Sequence, residues 1–147
     1  MILVANLNSN TCRLYCYKKH PFELALINEI SHPENKLKNS ELTSDGPGHY
    51  QTDKSVRGTY SPNMLPKDVE IDNFAREVAR ELNQKRNEGG FQKFVVIAPA
   101  HMSGLIAGHL NKYVKEMLLE TIHKDLMHLS HKELQEFVHS HVQFPVV

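Results

Sequence analysis

Histidines and carboxylates are the residues of this sequence with the chemistry for catalysis or metal binding. Ten histidines are present, and five of them crowd toward the C-terminus: His123, His128, His131, His139 and His141. None of them forms an HExxH motif, in which two histidines on one helix face bind the same zinc ion. We therefore interpret the histidines as surface residues, and we predict neither a metal site nor any other cofactor.

A metal-dependent nuclease would need several carboxylates around two divalent ions about 4 Å apart. The first apolar segment offers only Asn6, a neutral amide. Between that segment and residue 33, the only carboxylates are Glu23 and Glu29. The sequence has no GxSxG elbow and no phosphate-binding Walker loop. The pattern favours a protein without catalytic activity, and a small hydrolase or nuclease remains an alternative.

Composition narrows the class of protein. The 147 residues fit a single domain, residues 1–147, and the 17 basic and 17 acidic residues give a net charge of zero. A neutral chain has no long-range field to attract nucleic acid, so such a contact would have to be local. The start, "MILVANLNSN", lacks the basic region of a signal peptide, and no apolar run reaches the roughly 20 residues of a membrane span. We expect a cytoplasmic protein, with its oligomeric state left open.

Three segments at the start of the chain have the pattern of strands. "MILVANL" is a nearly continuous apolar run, typical of a strand buried on both faces. "CRLYCYK" alternates, and "FELALINEI" places Phe22, Leu24 and Leu26 on one face before its alternation slips. Cys12 and Cys16 would lie about 13 Å apart on one strand, too far for a disulfide. Short connections between these segments predict an antiparallel meander.

A long amphipathic helix is predicted from Pro66, which suits a first helical turn. Its apolar stripe recurs at three- and four-residue steps and consists of Ile71, Phe74, Ala75, Val78 and Leu82. Gly89-Gly90 follows the last turn of this helix, and we interpret it as the C-cap.

The remaining elements follow in order. "FVVIA" is a second buried strand, and "HMSGLIAGHLNKYV" predicts one helix with Met102, Leu105, Ile106 and Tyr113 on one side. A strand is expected from about Leu118 to His123, although a continued helix fits the pattern too. Ser130 and Glu133 have capping-box spacing, which predicts the start of a last helix.

The order β-β-β-α-β-α-β-α predicts an α/β fold with one mixed five-stranded sheet covered by helices. This is the layout of the ribonuclease H-like fold. Between the third strand and the long helix lies "SDGPGHYQTDKSVRGTYSPN", whose single apolar aliphatic side chain is Val56. Such a stretch can bury little, so we predict a long loop over residues 44–65.

Four blocks of the sequence together resemble a known family: "HPENKLKNSELTSDGPG", "FAREVARELNQ", "FQKFVVIAPAHMSGLIAGHL" and "HKDLMHLSHKEL". Over residues 2–138 the chain resembles bacterial proteins required for attachment to host cells, which are relatives of archaeo-eukaryotic peptide-chain release factors. The resemblance implies a fold like the middle domain of release factors. It also implies that residues 44–65 match the loop that carries Gly-Gly-Gln into the peptidyl-transferase centre.

The sequence departs from the pattern of that family at several positions. The loop contains Gly58-Thr59-Tyr60 and no Gly-Gly-Gln, so the glutamine that orders the hydrolytic water has no counterpart. Asn6 stands where relatives commonly have Asp, His49 where Arg is usual, and Ser103-Gly104 where Leu-Gly is usual. These departures weigh against hydrolysis of peptidyl-tRNA.

We therefore predict a non-catalytic, release-factor-like domain that binds RNA or a ribosomal complex. The predicted contact residues of the loop are Asp45, His49, Tyr50, Lys54, Arg57 and Tyr60. Among them, Lys54, Arg57, Tyr50 and Tyr60 offer phosphate and stacking contacts. Lys124 and Asp125 are added because they follow the last predicted strand, where ligand crevices of α/β sheets lie. A local turn or ion pair is the alternative for these two residues. An adhesion-related interaction protein is a further alternative for the whole chain.

Overall fold

The computed structural model describes residues 1–32 and 66–142. Within these ranges the chain forms five strands and four helices. The strands are β1 (Ile2–Leu7), β2 (Thr11–Lys19), β3 (Phe22–Ser31), β4 (Lys93–Ile97) and β5 (Leu118–Ile122). The helices are α1 (Pro66–Glu88), α2 (Ala100–His109), α3 (Lys112–Met117) and α4 (His131–His141).

The five strands form one mixed sheet in the order β3-β2-β1-β4-β5. β2 is antiparallel to both β1 and β3, while β4 is parallel to both β1 and β5. The two apolar runs are the interior strands β1 and β4, and every residue of β1 is buried. The predicted α/β class and the five-stranded mixed sheet are confirmed. The sequences of β1 and β4 are apolar because strands covered on both faces need apolar side chains on both.

Helices α1, α2 and α3 cover one face of the sheet. Phe74 and Val78 of α1 are fully buried and Leu82 is nearly so, which confirms the predicted stripe. Helix α1 ends where predicted: Gly89 and Gly90 have φ of 80° and 93°, and the Gly89 N–H donates to the carbonyl oxygens of Lys85 and Arg86. Glycine adopts this left-handed conformation without the clash that a Cβ would cause.

The predicted single helix over residues 101–114 is wrong. The chain divides it into α2 and α3 at Leu110 and Asn111. Leu110 is extended and buried. The Asn111 side chain accepts a hydrogen bond from the Val114 N–H at 2.9 Å and so starts α3 as its N-cap. Asparagine favours this position over a helix interior because its side chain replaces the missing backbone acceptor. As a result, Tyr113 does not share the buried face with Met102 and is 48% exposed.

Helix α4 covers the opposite face of the sheet, with Leu134 and Val138 buried. The predicted capping box is present: the Ser130 side chain accepts from the Glu133 N–H, and the Glu133 carboxylate accepts from the Ser130 N–H. The last strand ends at Ile122, one residue from the predicted boundary.

Strand β3 forms one outer edge of the sheet, where one part of the sequence prediction fails. A bulge places Ile27 between the pairs Tyr15–Leu26 and Leu14–Asn28, which accounts for the slip in the alternation. Leu24 is buried as predicted, but Leu26 is 52% exposed. The difference between Leu24 and Leu26 depends on tertiary packing, which no short sequence pattern reveals. Cys12 and Cys16 are free thiols, as predicted, and the structure buries both.

Candidate functional site

The parallel strands β1, β4 and β5 end on the same side of the sheet, which we call the carboxyl edge. β1 leads into β2 on one side, while β4 leads through α2 and α3 into β5 on the other. The two connections therefore diverge at the ends of β1 and β4. Crevices of α/β sheets form at such divergence points, so the carboxyl edge is the first place to look for a binding site.

Asn6 is the polar side chain that the sheet buries at this edge, with 1% exposure. It lies opposite Arg13 of β2 and Ile97 of β4, so these three side chains share one face, the α4 face. Its Nδ2 donates to the Leu126 carbonyl oxygen at a long 3.5 Å, and its buried Oδ1 has no hydrogen-bond partner among residues 1–32 and 66–142. A buried acceptor without a donor is costly, which makes Asn6 a candidate for a functional role.

Arg13 extends this polar row across the sheet. Its Nε donates to Glu29 Oε2 of β3 at 2.8 Å, an ion pair in which both side chains are partly exposed. The hydrogen bond to Glu29 raises the pKa of Arg13, so the guanidinium stays charged. Burial raises the pKa of the neighbouring Tyr15, although Arg13 opposes the shift. The ring centroid of Tyr15 lies 5.8 Å from that of His131, at the start of α4.

Lys124 and Asp125 are the predicted site residues that the structure describes, and both are exposed. They lie in the connection from β5 to α4 whose Leu126 carbonyl contacts Asn6. Asp125 Oδ1 accepts a hydrogen bond from the Met127 N–H at 3.2 Å, which closes a turn. Lys124 Nζ lies 5.6 Å from the ring centroid of Phe137. The structure therefore brings this pair to the same edge as Asn6.

The other predicted site residues lie outside the described residues, and their role stays a prediction: Asp45, His49, Tyr50, Lys54, Arg57 and Tyr60. The two ends of the segment that contains them are described. After β3, the His32 N–H donates to the Asn10 carbonyl oxygen at 2.7 Å, in the turn that follows β1. The His32 ring also lies 5.0 Å from that of Phe74 in α1.

Helix α1 runs toward the carboxyl edge when it is followed backward from Gly89. The C-terminal end of α1 lies near the start of β1, where the Gln92 N–H donates to the Met1 carbonyl oxygen at 3.0 Å. Phe74 lies beside His32 at the carboxyl edge, and Pro66 is eight residues, or about 12 Å of helix, further on. Both ends of the segment 33–65 are therefore attached on the side of the sheet where Lys124 and Asp125 lie.

Besides His131, two C-terminal histidines contact neighbouring groups in the described structure. Tyr17 hydrogen-bonds to Nδ1 of His139 at 2.9 Å, and the Phe22 ring lies 3.9 Å from that imidazole. His141 stacks on Phe137, and its Nδ1 hydrogen-bonds to the Phe137 carbonyl oxygen. Residues 1–32 and 66–142 contain no group of three His, Cys, Asp or Glu side chains arranged to bind a metal. Nor does any described helix have the length and apolar character needed to cross a membrane.

Arg13 and Tyr15 were not predicted as site residues. In the sequence they are simply the polar-facing members of an alternating strand, and nothing local marks them. Their place beside Asn6 follows from the pairing of β1 with β2, which only the fold determines. The arrangement has hydrogen-bond donors and acceptors together with opposite charges, and these groups suit the binding of a polar partner.

Comparison with known sequences places the chain in a family. No curated protein matches it. A family model described as "protein required for attachment to host cells" matches residues 1–138, nearly the whole chain. The chain therefore belongs to the family of proteins required for attachment to host cells.

Proposed function

We propose that this protein is a non-catalytic, release-factor-like module that binds RNA or a ribosomal complex at the carboxyl edge. The observation that carries the proposal is the position of His32 and Pro66, the described residues on either side of the segment 33–65. Both residues lie on the side of the sheet where Lys124 and Asp125 lie exposed. A polar loop over residues 44–65 and the connection after β5 can then contact one partner together.

The architecture supports the release-factor part of the proposal. An antiparallel meander followed by two parallel strands, with helices on both faces, is the layout expected of a ribonuclease H-like domain. The long polar segment lies between the third strand and the long helix, as the resemblance to release factors implies.

The state of the polar side chains at the edge supports binding over hydrolysis. The residue at the end of β1 is a neutral amide, Asn6. The carboxylate of Glu29 is paired with Arg13, and that of Asp125 closes a turn. A metal-dependent nuclease needs carboxylates free to hold two ions, and these two are already engaged. An influence on attachment to host cells would follow from the partner contact.

Affinity capture from cell lysate, with and without ribonuclease treatment, tests the proposal. The wild-type chain is expected to retain RNA or ribosomal components, and ribonuclease is expected to release them. A variant with residues 54–59 replaced by a Gly/Ser linker should lose this capture. Its free energy of unfolding should change by less than about 1 kcal/mol, because surface loops tolerate such changes.

Single substitutions test the described part of the edge. Lys124→Ala and Asp125→Asn are expected to weaken capture while the protein stays folded. Lys115→Ala is the matched control for Lys124→Ala, since Lys115 is an exposed lysine in α3, next to the start of β5 at the opposite end of the sheet. Capture that is equal in the wild type, the linker variant and Lys124→Ala would show that the carboxyl edge is not the binding surface.

A further inference from the structure

A second surface of the molecule combines positive charge with an exposed aromatic ring. Tyr113, in the first turn of α3, is 48% exposed. The Arg86 guanidinium carbon lies 4.9 Å from its ring centroid, and Lys112 Nζ lies 5.1 Å from it. Two cations therefore flank one exposed ring, an arrangement that no predicted site residue belongs to.

Three other described cations of the chain are held in ion pairs. Lys85 pairs with Glu81 and Glu88, Arg76 with Asp72, and Arg13 with Glu29. Within residues 1–32 and 66–142, by contrast, neither Arg86 nor Lys112 has a carboxylate partner. Glu116 is four residues from Lys112 in α3 and still forms no ion pair with it. Unpaired, exposed cations at close spacing favour an anionic partner.

The surface is held in place by the break between α2 and α3. Leu110 is buried against the α1 face, and the Asn111 N–H lies 3.4 Å from Asn83 Oδ1 of α1. Asn111 then caps α3 through the Val114 N–H, and Val114 is fully buried. These contacts fix the first turn of α3 against the last turns of α1. Tyr113 and Arg86 are thus presented together before any partner binds.

We propose that Arg86, Lys112 and Tyr113 form a contact surface for single-stranded RNA. Tyr113 stacks on a base, and the two cations bind the phosphates on either side of it. Stacking on aromatic rings combined with cationic contacts to the backbone is how proteins bind single strands without reading their sequence. The choice of RNA over another polyanion rests on the proposed function, and the surface lies apart from the carboxyl edge.

Fluorescence anisotropy with a labelled, unstructured oligoribonucleotide and purified protein tests this surface directly. Tyr113→Ala is expected to weaken binding about tenfold, the size of one lost base stack. Arg86→Ala with Lys112→Ala should lower the slope of log affinity against log salt by about 1.4, which is about 0.7 for each lost phosphate contact. Because all three side chains are at the surface, thermal unfolding should show folded variants.

Three controls separate stacking from charge alone. Tyr113→Phe keeps the ring and should bind as the wild type does. Arg76→Ala, which removes an arginine that is paired with Asp72, should also leave binding unchanged. Inorganic polyphosphate, which has no bases, should compete equally well against the wild type and Tyr113→Ala.

The outcomes distinguish this surface from the carboxyl edge. Wild-type protein that does not bind the oligoribonucleotide, or Tyr113→Ala that binds as tightly as the wild type, would overturn the inference. Ribosomal capture through residues 44–65 would be untouched by that result. Loss of binding in the Tyr113 variant with full binding in the linker variant would support this surface and count against the carboxyl edge.

Discussion

The two faces of the sheet differ in how completely they are apolar. On the α1 face, Leu3, Ala5 and Leu7 of β1 are fully buried against the helices, and this cluster runs the full length of the strand. On the α4 face, Ile2 and Val4 are buried in the same way, but the next residue on that face is Asn6, followed across the sheet by Arg13 and Glu29. One strand thus has an unbroken apolar side and a side that turns polar toward the carboxyl edge.

This difference indicates that the two faces of the sheet have different roles. The α1 face is covered by a helix of 23 residues with a regular apolar stripe and provides most of the buried apolar contacts. The α4 face has a helix of 11 residues and keeps the Asn6 amide oxygen, which has no partner in the described part of the chain, under the connection after β5. Polar groups that cost stability are retained where they serve recognition, so the two faces should respond to substitution in opposite ways.

Removal of a ring from the α1 face should have the largest effect. Phe74→Ala is expected to lower the free energy of unfolding by about 3–5 kcal/mol, because a fully buried ring leaves a cavity. Phe137→Ala, a partly buried ring on the α4 face, should cost only about 1–2 kcal/mol. Urea unfolding measures both variants. Equal losses would remove the distinction between the faces, and a loss below about 1 kcal/mol for Phe74→Ala would contradict it.

The start of α4 should contribute a smaller effect than the buried ring of Phe74. Ser130→Ala removes the hydroxyl that accepts from the Glu133 N–H at 3.1 Å and should cost about 1 kcal/mol. Ser140→Ala, in the last turn of the same helix, is the matched control and should leave stability unchanged or slightly higher. Thermal unfolding of the two variants compares them directly. If Ser140→Ala were the more damaging of the two, the capping box would not anchor this helix.

Two separate substitutions, Asn6→Leu and Leu7→Asn, compare the two faces at neighbouring positions of β1. Asn6→Leu removes an amide whose oxygen has no partner among the described residues, so stability should stay within about 1 kcal/mol or rise. Leu7→Asn places the same amide on the α1 face and should cost at least about 3 kcal/mol. A loss above about 2 kcal/mol for Asn6→Leu in urea unfolding would mean that the amide is needed for folding.

The smallest effect concerns the acid stability of α4. The backbone N–H of Ser130, and secondarily its side chain, lower the pKa of the exposed Glu133 carboxyl below its usual range. A carboxyl whose pKa is lower in the folded state stabilises that state above the unfolded pKa, and this contribution is lost as the pH falls through the folded pKa. An NMR titration should show a depressed pKa for Glu133 that moves upward in Ser130→Ala. A normal pKa in the wild type would contradict the hydrogen bonds of the cap.

Much of the fold could be predicted from local patterns. The stripe of Phe74, Val78 and Leu82 and the capping box of Ser130 and Glu133 depend on residues within a few positions of one another. The break at Leu110 could not be predicted, because apolar periodicity continued through it and one asparagine, although it favours caps, does not by itself end a helix. That error concealed the exposed position of Tyr113.

The sequence by itself determined which segments form strands and helices, since apolar periodicity and helix caps act over short distances along the chain. It also identified β1 and β4 as strands covered on both faces, because a continuous apolar run suits such a position. Only the tertiary structure decided that Asn6 lies beside Arg13 and that Arg86 meets Tyr113. These contacts join residues far apart in the chain, and they depend on strand register and helix packing, which no local pattern encodes.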